Sequence, residues 1–293
     1  MPATVIQLPV RKAREPGSAD AVRVSQIMET SLIIPVSGRL EHLEKGLAAL
    51  ERCRPAPDEA LIVWMGGPDP GPLLDGLQVP AQAVRIEGND LPLALARNTG
   101  AKRARGELLV FLDVDCVPGP SLFHEYDHWL ARTDVLGMGR TRYESADGSL
   151  AERHPRPFTE RFGTDMGHDL FWSLNFGIRR ETFLALGGFD EAYRGYGFED
   201  TDLALTAGRA GLPMGWLRDA TATHLWHPPT RLEPGHVPAL VRNAKTFRRK
   251  WGFWPAQGWL DELSAAGLIE WDPDSDLMDV TVSSRNEAAR SAP

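Results

Sequence analysis

The stretch Glu107-Leu-Leu-Val-Phe-Leu112-Asp113-Val-Asp115-Cys116 decides how the rest of this chain is read. Its apolar run is the length of a buried strand and far short of the roughly 20 residues that span a bilayer. Two carboxylates follow at once. Ionised groups are costly in an apolar interior unless they are paired or bound to metal, so the strand must end at Asp113. Carboxylates this close repel each other, and a divalent cation relieves that repulsion. The alternative is a solvated turn that only leads into Pro118-Gly119.

Upstream, strand and helix signals alternate. Ser31-Leu-Ile-Ile-Pro-Val36 is a short apolar run stopped by Ser37-Gly38, after which Leu40, Leu43, Leu47 and Leu50 recur at helical spacing. Ala60-Leu-Ile-Val-Trp-Met65 predicts a second strand, and a brief one is expected near Ala83–Ile86. A helix over about Leu93–Ala104, ended by Gly106, leads back to the opening stretch. This alternation predicts an α/β fold, a mixed but mostly parallel sheet with helices on both faces. Ligands of such sheets sit beyond the carboxyl ends of the strands, where Arg39, Gly66 and Asp113–Asp115 should gather.

Composition narrows the function classes. Hydrophobic residues at 42% and charged residues at 25% of 293 are ordinary globular usage, which excludes a disordered or fibrous chain. A net charge of −8 argues against coating nucleic acid by phosphate neutralisation. Cys53 and Cys116 are too few for a disulfide framework. With neither a spanning segment nor a secretory signal read, a cytoplasmic location is expected. Residues 1–28 read as a loose leader and 29–235 as the main domain, divided into 29–118 and 119–235. A helical appendage is expected over 236–272 and a mobile tail over 273–293.

Three further clusters carry chemistry. Gly195-Tyr-Gly-Phe-Glu-Asp200-Thr-Asp202 opens a helix expected over about Thr201–Ala210. Acidic groups there answer the helix dipole, or one of them serves as a general base on a glycine-flexed loop. Either the loop Tyr193–Phe198, which Gly195 and Gly197 let flex, or the segment Glu144–Leu170 is expected to be poorly ordered when empty and to close over a bound ligand. In His224-Leu-Trp-His227-Pro-Pro, a regular strand would point the two histidines to opposite faces, but a turn at the prolines would let them converge. Phe171–Ile178 includes a strand, and Trp172 either stacks on a sugar or fills the core. Arg242, Lys245, Arg248, Arg249 and Lys250 lie beside Trp251, Phe253, Trp254 and Trp259, as a solvated face with aromatic anchors or as a site for an anionic partner.

Together these motifs resemble those of a family 2 glycosyltransferase of the GT-A fold with a galactosyltransferase-like C-terminal segment. The resemblance covers about Leu32–Trp226. It rests on Ile33-Ile-Pro-Val36 with Arg39, Ala96-Arg-Asn-Thr-Gly-Ala101, Phe111-Leu-Asp-Val-Asp115, Gly187-Gly-Phe-Asp190, Gly197-Phe-Glu-Asp200 and His224-Leu-Trp-His227, in that order. It implies transfer of a sugar from a nucleotide diphosphate to a hydroxyl acceptor, carbohydrate or other, lipid-linked ones included, with inversion. By the same resemblance Asp113, Asp115, His224 and His227 surround Mn²⁺ or Mg²⁺, with Asp113 on the ribose or the metal's waters. Asp200 takes the place of the base and Glu199 that of the group orienting the acceptor. Pro35, Arg39, Arg97, Asn98 and Asp113 fall at the donor, and Trp172, Asn175 and Tyr196 at the acceptor. After the second strand the chain departs from the family pattern, with Trp64-Met65-Gly66 where acidic residues are usual. UDP, in preference to GDP, is the donor nucleotide that the resemblance leads one to expect.

Competing readings fit less well. A haloacid-dehalogenase-type phosphatase shares the string Phe111–Val117 but carries it on its first strand, whereas two strands and two helices precede it here. A sugar-nucleotide pyrophosphorylase needs a longer phosphate loop than Ser37-Gly38-Arg39. A non-catalytic carbohydrate-binding or nucleotide-sugar-binding relative would not need Asp115, Asp200 and both histidines.

Overall fold

β1 (Thr30–Val36) is the strand around which the sheet is assembled. The computed structural model describes residues 27–87, 90–153, 161–163, 167–228 and 233–281, with 161–163 by their backbone alone. After β1 come α1 (Leu40–Leu50), β2 (Glu59–Trp64), β3 (Ala81–Arg85), α2 (Leu93–Arg103) and β4 (Leu108–Leu112). The second half supplies β5 (Cys116–Pro118), α3 (Leu122–Leu130), β6 (Leu136–Glu144), β7 (Leu150–Ala151), β8 (Arg161–Gly163), β9 (Asn175–Arg179) and α4 (Arg180–Ala185). It continues through α5 (Glu199–Arg209), β10 (Met214–His224), α6 (Val237–Trp251), α7 (Gln257–Ala265), β11 (Ile269–Trp271) and β12 (Met278–Val280).

The main sheet runs β3-β2-β1-β4-β9-β6-β10-β5. β3, β2, β1 and β4 are mutually parallel, as are β6 and β10, whereas β9 runs antiparallel between β4 and β6. The mixed, mostly parallel sheet expected from the sequence is therefore present. Alternate residues of the central strands feed two cores. Ile33, Leu61, Val63, Leu109 and Phe111 pack with Ala96 of α2, Phe183 of α4 and Leu203 of α5. Leu32, Ile34, Ile62, Leu108 and Val110 pack with Leu43 and Leu47 of α1 and Phe123 of α3. Burial on both faces explains why these strands read as continuous apolar runs rather than as alternating ones. Pro35 is tolerated inside β1 because pairing with β4 stops at Ile33.

A third apolar cluster joins Tyr193 and Phe198 of the main body to Val237, Leu240, Phe247, Trp254 and Leu260 of the C-terminal helices. Chain order extends past the expected tail boundary at residue 273. Met278–Val280 pairs antiparallel with Ile269–Trp271, and the Trp254 indole donates to the Ser275 carbonyl at 3.0 Å. The leader, apart from Ile27 and Met28, and residues 282–293 of the tail lie outside the described residues. So do parts of the Glu144–Leu170 segment, at 154–160 and 164–166.

Candidate active site

The antiparallel register of β10 on β5 sets His224 opposite Cys116, next to Asp115. β10 ends there, and the Leu225 amide donates to the Asp115 carbonyl at 2.8 Å. The chain then turns and carries His227 back over the same carboxylate. His224 Nε2 and His227 Nε2 each lie 3.5 Å from an Asp115 oxygen, with the two rings 5.2 Å apart. One ligand atom from each of the three residues falls within 4.8 Å of the others. His227 Nδ1 sits 2.8 Å from the Pro228 carbonyl while Nε2 faces Asp115, and its hydrogen bond to that carboxylate raises the imidazole's pKa, so a metal would bind at Nε2 in place of that proton. Burial holds the His224 imidazole below its usual pKa and so in the neutral form that binds metal. Burial alone would raise the Asp115 carboxyl, but the His227 hydrogen bond and the Arg39 guanidinium hold it below its usual value. This donor set fits a divalent ion. Two imidazoles beside one carboxylate favour a first-row transition metal over Mg²⁺, which takes oxygen ligands.

Arg39, in left-handed conformation at φ 52° before α1, reaches Asp115 Oδ2 with Nη1. Asp113, expected among the metal's neighbours, stays outside the three-residue cluster because its Oδ1 accepts from Arg97 Nη2 at 2.8 Å. Arg97 is 2% exposed, its guanidinium 5.2 Å above the Phe189 ring. Its Nη1 donates at 3.0 Å to Glu199 Oε1. One buried cation thus ties the turn after β4 to the first turn of α5. Removing one partner of a buried ion pair leaves an uncompensated charge, and Glu199 is only 6% exposed. Arg97→Met is therefore expected to destabilise the fold by about 3–5 kcal/mol, read from denaturant midpoints. Arg97→Lys should recover part of that, since an ammonium keeps the charge without the fork that serves two carboxylates. Arg97→Met with wild-type stability would refute the bridge as a structural element.

Asp200 occupies the first turn of α5, which starts at Glu199, two residues before the expected start. Capping does not explain Asp200. The N-cap position belongs to Phe198 at φ 73°, with no side-chain cap, and Asp200 Oδ1 accepts from the adjoining Thr201 amide at 2.7 Å. A bulky residue in the left-handed region is strain stored immediately before the two carboxylates. Burial and the neighbouring Glu199 carboxylate push Asp200 up to about 7, against the Thr201 and Ser173 amides and Arg97. Glu199 Oε2 is buried without a hydrogen-bond partner among the described residues. An unpartnered buried acceptor beside a carboxyl poised near neutrality is chemically able to accept a hydrogen bond and a proton side by side.

Several expected binding residues are placed elsewhere. Asn175 is fully buried, its amide donating to the Ala220 carbonyl at 3.0 Å and its oxygen accepting from the Tyr126 hydroxyl, so it offers nothing to an acceptor. Asn98 is 4% exposed and fastens the Gly187–Asp190 turn through the Phe189 carbonyl and amide, both at 2.9 Å, rather than facing a donor. Pro35 is buried within β1 and presents no side-chain surface. The terminal nitrogens of Arg97 are taken by carboxylates, so it can act on a donor only through Asp113. Trp172 is partly buried and packs on the core, while Tyr196 is 37% exposed and stacks on His236 with rings 5.4 Å apart.

Other contributors were not singled out from the sequence. Ser173 acts through its backbone amide, which no side-chain pattern reveals. Asp202, weighed only as a dipole partner, is 2% exposed and accepts from Tyr193 Oη, Lys250 Nζ and Trp251 Nε1. The basic run of α6 has largely internal partners as well. Arg242 donates to the Arg194 carbonyl, Arg248 to Asp276 and the Gly252 carbonyl, Arg249 to Thr246, and Lys250 to Asp190 and Asp202. Arg242 and Lys250 thus anchor the appendage to the main body, whereas Arg248 and Arg249 bond within the C-terminal segment itself.

Known proteins resemble this chain in sequence and in fold. Glycosyl transferase family 2 matches residues 31–187, and the N-terminal domain of galactosyltransferase matches residues 153–227, which contain Glu199, Asp200, His224 and His227. Validoxylamine A glucosyltransferase of Streptomyces hygroscopicus subsp. limoneus is 26% identical over 262 residues, spanning 77% of this chain and 57% of that protein. An uncharacterized glycosyltransferase of Bacillus subtilis (strain 168), YfnE, is 26% identical over 261 residues, spanning 69% of this chain and 66% of its own length. The chain therefore spans about 57–66% of the length of these curated relatives. Among solved structures, GalNAc-T7 with UDP, GalNAc and Mn²⁺ aligns at a TM-score of 0.58 and 17% identity, over 82% of this chain and 51% of that one. The mannosyltransferase PcManGT from Pyrobaculum calidifontis, in complex with GDP-Man and Mn²⁺, aligns at 0.52 and 16% identity, over 90% and 84%. These likenesses are of fold, the GT-A fold. Among the described residues no helix is long and apolar enough to cross a membrane.

Proposed function

Because this chain belongs to glycosyl transferase family 2, we propose that it moves a sugar from a nucleoside diphosphate donor, a UDP-sugar by preference, to a hydroxyl acceptor with inversion. The observation that carries the reading is the Arg97 bridge, which joins the Asp113–Asp115 turn to the Glu199–Asp200 turn in one site. Asp115, His224 and His227 would hold a divalent ion, with Mn²⁺ preferred on the donor set and on the ions named for the similar structures. Such an ion, when bound, supplies positive charge to a departing diphosphate. Arg39, with a third of its side chain exposed, is able to turn from Asp115 toward the same phosphates. At the other end Glu199 Oε2 orients the acceptor by accepting a hydrogen bond from a neighbouring hydroxyl of the same molecule, and Asp200 takes the proton of the hydroxyl whose oxygen attacks. Tyr196, 37% exposed with His236 stacked on it, offers its outer ring face to a sugar acceptor, free or lipid-linked. The two buried free thiols, Cys53 and Cys116, fit action in a reducing compartment such as the cytoplasm.

The test is calorimetry with UDP and with GDP, each with and without Mn²⁺. UDP affinity is expected to rise by about tenfold or more, roughly 1.4 kcal/mol, when Mn²⁺ is present. Equal binding in both conditions, together with no UDP release from UDP-sugars, would overturn the reading.

A further inference from the structure

The loop that leads into Glu199 and Asp200 is held from outside the main body, by α6 of the C-terminal appendage. Asn243 is fully buried on that helix. Its Nδ2 lies 3.1 Å from the Arg194 carbonyl, 3.2 Å from that of Tyr196 and 3.1 Å from that of Gly197, while its Oδ1 accepts from the Arg194 amide at 3.3 Å. The exposed Arg242, next along the helix, also donates to the Arg194 carbonyl, at 2.6 Å. Helix and loop are in close contact. A Cβ on Gly195 would stand 2.7 Å from the Ala239 Cβ, and one on Gly197 2.6 Å from Leu240 Cδ2. Both glycines also have positive φ, 75° and 107°. Close approach of α6 and the left-handed backbone therefore account for glycines whose presence also suggested a swinging loop. Farther along α6, Lys250 and Trp251 grip Asp202, three residues beyond Glu199. The two carboxylates thus lie between two anchor points on one helix.

We propose that Asn243 is a positioning residue, which fixes the Arg194–Gly197 backbone and through it the placement of Glu199 and Asp200. The proposal rests on the reading of Asp200 as the base. A buried side-chain amide bonded to the backbone of a loop from another element carries rigidity rather than solubility, since the alternative is unpaired carbonyls in an apolar cluster. None of these bonds touches Asp115, His224 or His227, so donor and acceptor functions should separate.

The experiment compares Asn243→Leu, Arg242→Ala and the double variant Asn243→Leu/Asp200→Asn in the full chain. UDP release from UDP-glucose with Mn²⁺ and hydrogen exchange are measured side by side. Asn243→Leu is expected to lower kcat by tenfold or more with the donor KM within about twofold, and to speed amide exchange over residues 194–198. In the Asp200→Asn background the same change should cost less than twofold, because a group acting through Asp200 has nothing left to position. Parallel loss of kcat and donor affinity, or undiminished cost in that background, would overturn the proposal. Should Asn243→Leu fail to fold, Arg242→Ala decides the matter from the surface. A two- to fivefold fall in kcat with faster exchange at the loop supports it, and wild-type exchange and kcat refute it. Wild-type turnover by Asp200→Asn alone would sink the base reading, while exchange in Asn243→Leu would still report whether the helix holds the loop.

Discussion

Asp200→Asn is expected to keep its fold and its Mn²⁺-dependent nucleotide affinity and to lose turnover by on the order of a hundredfold or more. The amide preserves the oxygen that accepts from the Thr201 amide, so local geometry at the start of α5 survives. What it cannot do is take a proton. The wild-type carboxyl, lifted to about 7 by burial and by Glu199, has to be ionised to act, so kcat/KM should climb with pH and level off above about 7. Stability runs the other way. A carboxyl whose folded pKa lies above its unfolded value of 3.8 opposes folding once ionised, so its penalty is absent below about pH 4 and grows as pH rises toward 7. Asp200→Asn removes that penalty. Its Tm should match wild type near pH 4 and equal or exceed it at pH 8. Turnover within threefold of wild type, or a Tm several degrees lower at pH 8, would remove Asp200 from the mechanism.

Asp115→Ala is expected to abolish the metal dependence of nucleotide binding. Among the described residues Asp115 is the one carboxylate in the cluster with His224 and His227, and its loss removes the charged ligand and leaves Arg39 without its carboxylate partner. Loss of even a supporting group around a metal commonly costs ten- to a hundredfold in affinity, so loss of the charged ligand should cost on the order of a hundredfold or more. Mn²⁺ titration followed by electron paramagnetic resonance reads this directly. UDP calorimetry should then return the same weak affinity with and without the ion. His227→Ala serves as the graded companion, with a smaller loss because the charged ligand Asp115 remains. An Asp115→Ala protein that still binds UDP more tightly with Mn²⁺ would move the cation site elsewhere.

How much of this was legible beforehand follows from the range of the interactions involved. Strands β1, β2 and β4 and helix α1 are written in local hydrophobic pattern, α2 is bounded by the glycine that follows it, and their observed ends lie within a residue or two of the expected ones. The Asp113–Asp115 turn was legible for the same reason, since two charges directly after an apolar strand have few places to go. The short spacing of His224 and His227 named the candidates but not their convergence. That depended on where β10 stops, and it stops where its ladder with β5 runs out at Cys116. Asn98 and Asn175 illustrate the opposite limit. A polar residue in a matching motif looks like a ligand contact in one dimension. Only the fold reveals that its hydrogen bonds close on the Phe189 backbone or on the Ala220 carbonyl and the Tyr126 hydroxyl.

By itself, then, the sequence determined the α/β class, the parallel core of the sheet and the carboxylate and histidine clusters, because periodicity and the cost of burying charge act over a few neighbouring residues. Tertiary structure alone decided which partners those clusters take. Arg97 reaching both Asp113 and Glu199, Asp202 gripping Lys250 and Trp251, and Asn243 closing on Arg194–Gly197 are contacts between segments 16 to 102 residues apart. They form because each buried polar group must find a partner once the apolar faces have packed, and the fold, not the local chain, determines which partner lies within reach.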